Sequence, residues 1–325
     1  MDIVNVDETI NDQLQKDYRA QKGGFVQVGE KKWFYPIRYR KLAAQFKNFE
    51  VRPDDIWITG YPRSGTTLTE ELVWLLTHNL DFDKSKEVSL SSRVIFFELD
   101  MLLNENTEKE QKFPEVLNTC KRGRNHLNKL NEDKQRRVIK THLPFELLPP
   151  DILKKGCKVI YVCRYPKDVC VSYYLLQKQN QFMDFGAGFE KYWRYFLEGK
   201  SIFGPYFEHV KQGFEMIGSK NFSFVFYEEF KKDTRSYLMK LSEFLEITLS
   251  EKEIEKTENF IDFDNYRKVN NITVRNTNNE LVPFVRRGKV GGWKDYFTEE
   301  MNKQTDEWIE KNIKKIGIRY PQQEE

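Results

Sequence analysis

The sequence predicts an α/β fold: a single domain with a central parallel sheet flanked by helices, carrying a P-loop-like phosphate-binding strand, loop and helix. Three observations predict it. Short apolar runs of strand length alternate with helical stretches. A glycine-framed turn, Gly60 to Gly65, stands between the first of these runs and its helix. No repeat, low-complexity linker or shift in composition divides the chain, so residues 1–325 read as one domain.

The elements follow in order. Residues 1–30 read as a loosely held N-terminal arm. Asp55 to Gly60 (Asp-Ile-Trp-Ile-Thr-Gly) is a buried strand. Thr66 to Thr77 is its helix, with Leu68, Leu72, Leu75 and Leu76 on one stripe. Arg137 to His142 is a second strand, stopped by Pro144. Cys157 to Cys163 is a third. Pro166 then stands where a helix begins, and Lys167 to Gln177 continues it. Asn221 to Tyr227 is a fourth strand, rich in Phe and Val. Residues 228–246 and 299–316 read as helices. Residues 80–136 and 265–292 are polar and irregular, and are expected to form loops over a site.

Composition excludes several classes. Hydrophobic residues make up 39% and aromatic residues 14%, enough core-forming surface to rule out global disorder. The net charge is only +3, which gives no reason to expect nucleic acid or an anionic membrane as partner. No stretch reaches the roughly 18 to 20 apolar residues that cross a bilayer. Met1 to Lys22 lacks a signal-peptide pattern, so a cytoplasmic location is expected. Cys120, Cys157, Cys163 and Cys170 form no Cys-x-x-Cys pair, and with four His in the chain neither a disulfide framework nor a metal site is expected.

Four constellations carry chemistry. Gly60-Tyr61-Pro62-Arg63-Ser64-Gly65-Thr66-Thr67 has the glycine spacing of a nucleotide P-loop, but Thr66 stands where the P-loop lysine would be. The anion cradle remains, made by backbone N–H groups and a helix N-terminus, and the cation has moved to Arg63. After the third strand, Arg164 and Ser172 offer a guanidinium and a hydroxyl to a second phosphate. Lys140-Thr141-His142 ends the second strand, where an imidazole with a pKa of about 6.5 can take a proton from a hydroxyl. Lys140 can steady developing negative charge beside it. Arg286 to Lys294 packs four cations and three glycines into nine residues, which suits a flap closing on anions.

In this order and register the motifs resemble the cytosolic sulfotransferase family, which uses 3′-phosphoadenosine 5′-phosphosulfate (PAPS) as co-substrate and yields adenosine 3′,5′-bisphosphate. The resemblance runs from about Asp55 to Phe297. It rests on Tyr61 to Thr67, Lys140 to Pro144, Arg164 to Asp168 with Ser172, Tyr227-Glu228-Glu229-Phe230, and Arg286-Arg287-Gly288 with Gly291, Trp293 and Lys294. It implies that Ser64, Gly65, Thr66 and Thr67 receive the 5′-phosphosulfate, that Arg164, Ser172, Arg287 and Gly288 hold the 3′-phosphate, and that Arg63 and Arg286 also contact the co-substrate. Tyr227 would meet the adenine side. His142 would be the general base, with Lys140 and Arg63 stabilising the transferring and leaving charges.

The chain departs from the family pattern at three places. Arg63 replaces a lysine, keeping charge but not the ability to donate a proton readily. Leu68 replaces the tryptophan that stacks on adenine, leaving Phe263 as a substitute cover. In the family's dimer motif Glu299 replaces a valine and Lys303 a glutamate, so a weakened homodimer contact is expected. The acceptor would be a small hydrophobic phenol, alcohol or steroid. Phe96, Phe97, Phe145 and Tyr173, with Lys140 and His142, are the candidates for its pocket. Two rival functions remain open: a P-loop nucleotide kinase, and a non-catalytic binder of nucleotide or lipophilic ligand.

Overall fold

The structure, a computed structural model, describes residues 1–103, 126–262, 265–266, 273–276, 278, 280–283, 288 and 290–321. The strands are β1 Ile3–Asn5, β2 Phe25–Val28, β3 Trp33–Pro36, β4 Ile56–Thr59, β5 Ile95–Phe96, β6 Val138–Thr141, β7 Lys158–Cys163, β8 Phe222–Phe226, β9 Thr273–Arg275 and β10 Leu281–Pro283. Five of them form the central sheet in the order β5-β6-β4-β7-β8, every pairing parallel. From β4 the chain goes out to the edge strand β5, returns to β6 between the two, and then crosses to β7 on the other side of β4. That reversal makes the carboxyl end of β4 a topological switch point, where open α/β sheets place ligands.

Side-chain alternation along these strands splits the interior into two layers. Ile56, Ile58, Val138, Ile160, Val162 and Val225 point to one face and pack with Leu72, Val73, Leu75 and Leu76 of the helix Thr66–Thr77. Trp57, Ile139, Val159, Tyr161 and Cys163 point to the other, against the N-terminal elements and the helix Pro166–Gln179. Both faces are covered, so the strands read as continuous apolar runs. At the amino end of the sheet Arg137 donates to both carboxylate oxygens of Asp55 at 2.6 and 2.5 Å, tying the starts of β4 and β6 together.

Four expectations need correction. Residues 1–30 are not a loose arm. β1, β2 and β3 form an antiparallel sheet, and Val26, Trp33, Phe34 and Tyr35 are fully buried. β3 is bonded to the 203–204 turn through Phe34 N–H to the Gly204 carbonyl and Phe203 N–H to the Phe34 carbonyl, both at 2.9 Å. The stretch 228–246 is two helices, Tyr227–Lys232 and Thr234–Phe244. Asp233 leaves the helical region and caps the second by accepting from Ser236 N–H at 2.9 Å. The described part of 80–136 holds the edge strand β5 and helices at Phe82–Glu87, Leu90–Arg93, Leu99–Leu102 and His126–Glu132. Within 265–292, β9 and β10 form an antiparallel hairpin. The helix Glu299–Ile316 matches the expected 299–316. No helix among the described residues is long and apolar enough to cross a membrane.

Candidate active site

Strand register brings the motifs together. Thr59 pairs with Thr141, so the next residues, Gly60 and His142, are neighbours. His142 Nδ1 lies 2.6 Å from the Gly60 carbonyl. Cys163 pairs with Phe226, so Arg164 and Tyr227 are neighbours, and the guanidinium lies 4.5 Å from the centre of the Tyr227 ring. Thr59 also pairs with Tyr161, which sets Gly60 against Val162. A Cβ on Gly60 would stand 2.3 Å from the Val162 carbonyl oxygen, so only glycine fits.

The phosphate loop is strained and cationic. Arg63 and Gly65 both have positive φ, 71° and 106°. A Cβ on Gly65 would lie 2.5 Å from Cδ2 of Tyr227. Arg63 Nε donates to Ser172 Oγ at 2.9 Å, and Arg164 donates to the Arg63 carbonyl at 3.2 Å. Residues assigned to opposite ends of a ligand therefore touch each other across one hollow. Burial, and then the nearby Arg164, lower the Arg63 guanidinium to about 10, a level consistent with two cations held together out of water. Ser64 is buried, and its hydroxyl meets no hydrogen-bond partner among the described residues.

His142 is the most constrained ionisable group of the site. Its ring is buried and edge-on to Phe96 at 5.3 Å and to Phe203 at 5.5 Å. Burial, then the Lys140 charge, drives its pKa well below 6.5, against the opposing bond to Gly60. Because the Gly60 carbonyl can only accept, Nδ1 carries the proton and Nε2 keeps its lone pair. The main-chain N–H of His142 donates to Glu98 Oε1 at 2.5 Å, and the Thr141 hydroxyl donates to Oε2 at 2.8 Å. Glu98 is fully buried, and burial pushes its carboxyl up to about 8. Lys140 Nζ lies 3.0 Å from Glu70 Oε1 and 5.1 Å over the Phe96 ring. Neither Glu98 nor Glu70 is marked by any sequence motif: each sits in an ordinary run of the chain.

Several of these groups line a cavity of about 420 Å³, within the range of small-molecule sites; Ser64 and Phe96, both expected there, are not part of its wall. Its wall includes Arg63, Gly65, Thr66, Thr67, Leu68, Lys140, His142, Arg164, Ser172, Tyr227 and Gly288, all expected from the sequence. It also includes Phe230, Lys231 and Tyr266. Asp168 ties the C-terminal segment to the helix Pro166–Gln179 by accepting from Gly291 N–H at 2.9 Å, and Tyr227 donates to the Gly288 carbonyl at 3.2 Å. Phe263, Arg286 and Arg287 lie outside the described residues. Among the described residues no cluster of His, Cys, Asp or Glu has the arrangement of a metal site.

Three aromatic assignments are corrected. Phe97 is fully buried between Phe49 and Trp57, each 5.1 Å away, with Phe46 at 5.3 Å. Phe145 packs on Tyr161 and Phe222, at 6.3 and 5.8 Å. Tyr173 is enclosed by Tyr61 and Tyr192, at 5.9 and 6.3 Å. Phe97 and Tyr173 are fully buried, Phe145 is partly buried against the same core cluster, and none of the three lines the cavity. Phe96, by contrast, meets the His142 ring, and Phe203, which no sequence signal marked, faces it from the other element.

Comparison with known proteins decides the family. The Sulfotransferase domain family matches residues 53–317. The chain belongs to the cytosolic sulfotransferase family. Sulfotransferase 1E1 of Bos taurus is 33% identical over 290 residues, covering 87% of this chain and 92% of that protein. Luciferin sulfotransferase of Photinus pyralis is 35% identical over 304 residues, covering 89% and 80%. Among solved structures, retinol dehydratase in a complex with retinol and PAP superposes with a TM-score of 0.91 at 31% identity, over 98% of both chains. This sulfotransferase is therefore an enzyme of the PAPS-dependent class.

Proposed function

We propose that this sulfotransferase moves the sulfuryl group of PAPS to a hydroxyl of a small hydrophobic phenol, alcohol or steroid, with His142 as general base. One observation carries the reading: at the edge of an anion cavity, His142 is neutral and offers Nε2, with Nδ1 occupied by Gly60. The residues fit the co-substrate. The buried Ser64 hydroxyl meets no hydrogen-bond partner among the described residues, Gly65 and Thr66 line the cavity at the start of the helix, and Arg63 and Arg164 supply positive charge. PAPS, when bound, supplies an activated sulfuryl group on a good leaving phosphate.

In this reading His142 Nε2 takes the proton of the acceptor hydroxyl as the oxygen attacks. The Gly60 carbonyl holds the imidazolium that forms, since it already accepts from Nδ1. Lys140 stabilises charge on the transferring oxygens and Arg63 charge on the departing phosphate. Leu68, Phe230 and Tyr266 make the apolar part of the wall available to a base. Phe96 and Phe203 flank His142 as an apolar collar for the acceptor. The same reading carries a cytoplasmic location and charge supplied by side chains.

Labelled sulfuryl transfer from PAPS to a panel of phenols, steroids and retinol tests it. Retinol and androsterone belong in the panel because the retinol dehydratase structures hold them together with PAP. Transfer by the wild type, lost in His142→Ala with adenosine 3′,5′-bisphosphate binding retained, is the expected result. Thermal stabilisation by ATP with magnesium, and none by adenosine 3′,5′-bisphosphate, would favour a kinase instead. Nucleotide binding without any turnover would favour a non-catalytic binder.

A further inference from the structure

A buried carboxylate stands behind the wall of the anion cavity, paired with one of the cations that line it. Glu70 lies in the helix Thr66–Thr77, three and four residues after Thr67 and Thr66, which line the cavity; Glu70 itself is buried behind that wall. Its side chain is buried, and Oε1 is 3.0 Å from Lys140 Nζ. Lys140 and His142 are two residues apart at the end of β6, and both line the cavity. The Lys140 ammonium thus stands in ion-pair contact with Glu70 Oε1, which accepts no hydrogen bond from any described residue, and 5.1 Å from the centre of the Phe96 ring.

Stability does not account for this arrangement. A buried ion pair contributes little over apolar groups of the same shape. The next residue, Glu71, already braces the helix: it holds Arg93 through two bonds of 2.8 Å and accepts from Ser85 at 2.7 Å. Glu70 has no such network, and among the described residues Lys140 is the cation it meets. A negative charge so close to a cavity built for phosphate weakens its hold on any anion. What Glu70 does provide is a fixed place for an ammonium carried on a flexible four-carbon stem.

We propose that Glu70 is a positioning residue of the transfer reaction: it fixes Lys140 Nζ beside His142, where charge develops, while opposing the binding of the anionic nucleotide. The inference rests on the sulfuryl-transfer reading. It predicts that affinity and turnover respond to Glu70 in opposite directions, which a merely structural residue would not produce.

Two variants separate charge from position, read by calorimetric titration with adenosine 3′,5′-bisphosphate and by kcat at saturating PAPS with an acceptor from the panel. Glu70→Gln is expected to bind the nucleotide about 3- to 10-fold more tightly and to lose about tenfold in kcat, with acceptor KM little changed. Glu70→Asp keeps the charge but loses reach, so wild-type affinity with reduced kcat is expected. In Lys140→Met, adding Glu70→Gln should lower kcat no further. Nucleotide affinity no tighter in Glu70→Gln, full kcat in Glu70→Asp, or losses that multiply with Lys140→Met would each overturn the inference. If the wild type fails to bind adenosine 3′,5′-bisphosphate, the co-substrate reading falls and takes this inference with it; binding by wild type with an unaltered Glu70→Gln overturns the inference alone.

Discussion

His142 and Glu98 show how burial acts in opposite senses on a base and on an acid that accepts from the same residue's main-chain N–H. Burial and Lys140 hold the imidazole pKa well below 6.5, so His142 stays neutral at pH values where a free histidine is charged. The acid limb of kcat/KM should accordingly fall below pH 6.5; a limb at or above 6.5 in a pH-rate profile would contradict this. Glu98 behaves in the reverse way. Its carboxyl is raised to about 8 by burial, above the ordinary value of 4.5 it has in the unfolded chain. Between these values the folded protein holds a proton that the unfolded chain releases, so this group's contribution to stability is present below 4.5 and is lost as pH rises through 8. Glu98→Gln, which cannot titrate, should flatten that part of the dependence of Tm on pH between 5 and 8, roughly the range set by the linkage. A wild type and variant with parallel Tm curves would count against a buried neutral Glu98.

At the scale of elements, the turn from β4 into its helix does the positioning. Gly65 takes φ of 106° and brings the loop against the Tyr227 ring, which in turn carries Arg164 on its face. Gly65→Ala places a methyl 2.5 Å from that ring in a conformation alanine disfavours. A loss of about 1–3 kcal/mol in denaturant unfolding is expected, together with weaker binding of adenosine 3′,5′-bisphosphate as Tyr227 and Arg164 move. Unchanged binding in a folded Gly65→Ala protein would show that Tyr227 does not seat Arg164. The N-terminal sheet makes a related point. Val26 and Trp33–Tyr35 are strand sequences that cannot bury themselves within a short hairpin, and they are fixed by the 203–204 turn, which also carries Phe203 to the face of His142.

For the molecule as a whole, assembly is the property with a distinct prediction. Glu299 and Lys303 are exposed near the start of the helix Glu299–Ile316, at the positions where the resemblance would put the valine and glutamate of the family's dimer motif. We propose that the protein is a monomer or a weak dimer through this segment. Light scattering at micromolar concentration should give the monomer mass, and a tight dimer whose contact maps to residues 294–303 would refute it.

Much of this protein was legible in the chain itself. The parallel sheet, the cradle from Gly60 to Thr67 and the strand-end positions of His142 and Arg164 all follow from local patterns, because a strand end and a helix start are written in adjacent residues. Tertiary structure decided what depends on partners distant in sequence. Only folding sends Phe97 into the core while Phe96 meets the imidazole, since neighbouring side chains at a strand end point to opposite faces, and only folding brings Phe203 of a distant turn to the same ring. Glu98 and Glu70 become visible only when β5 and the helix Thr66–Thr77 are brought beside β6, for a carboxylate acquires its chemistry from what surrounds it and not from its place in the chain.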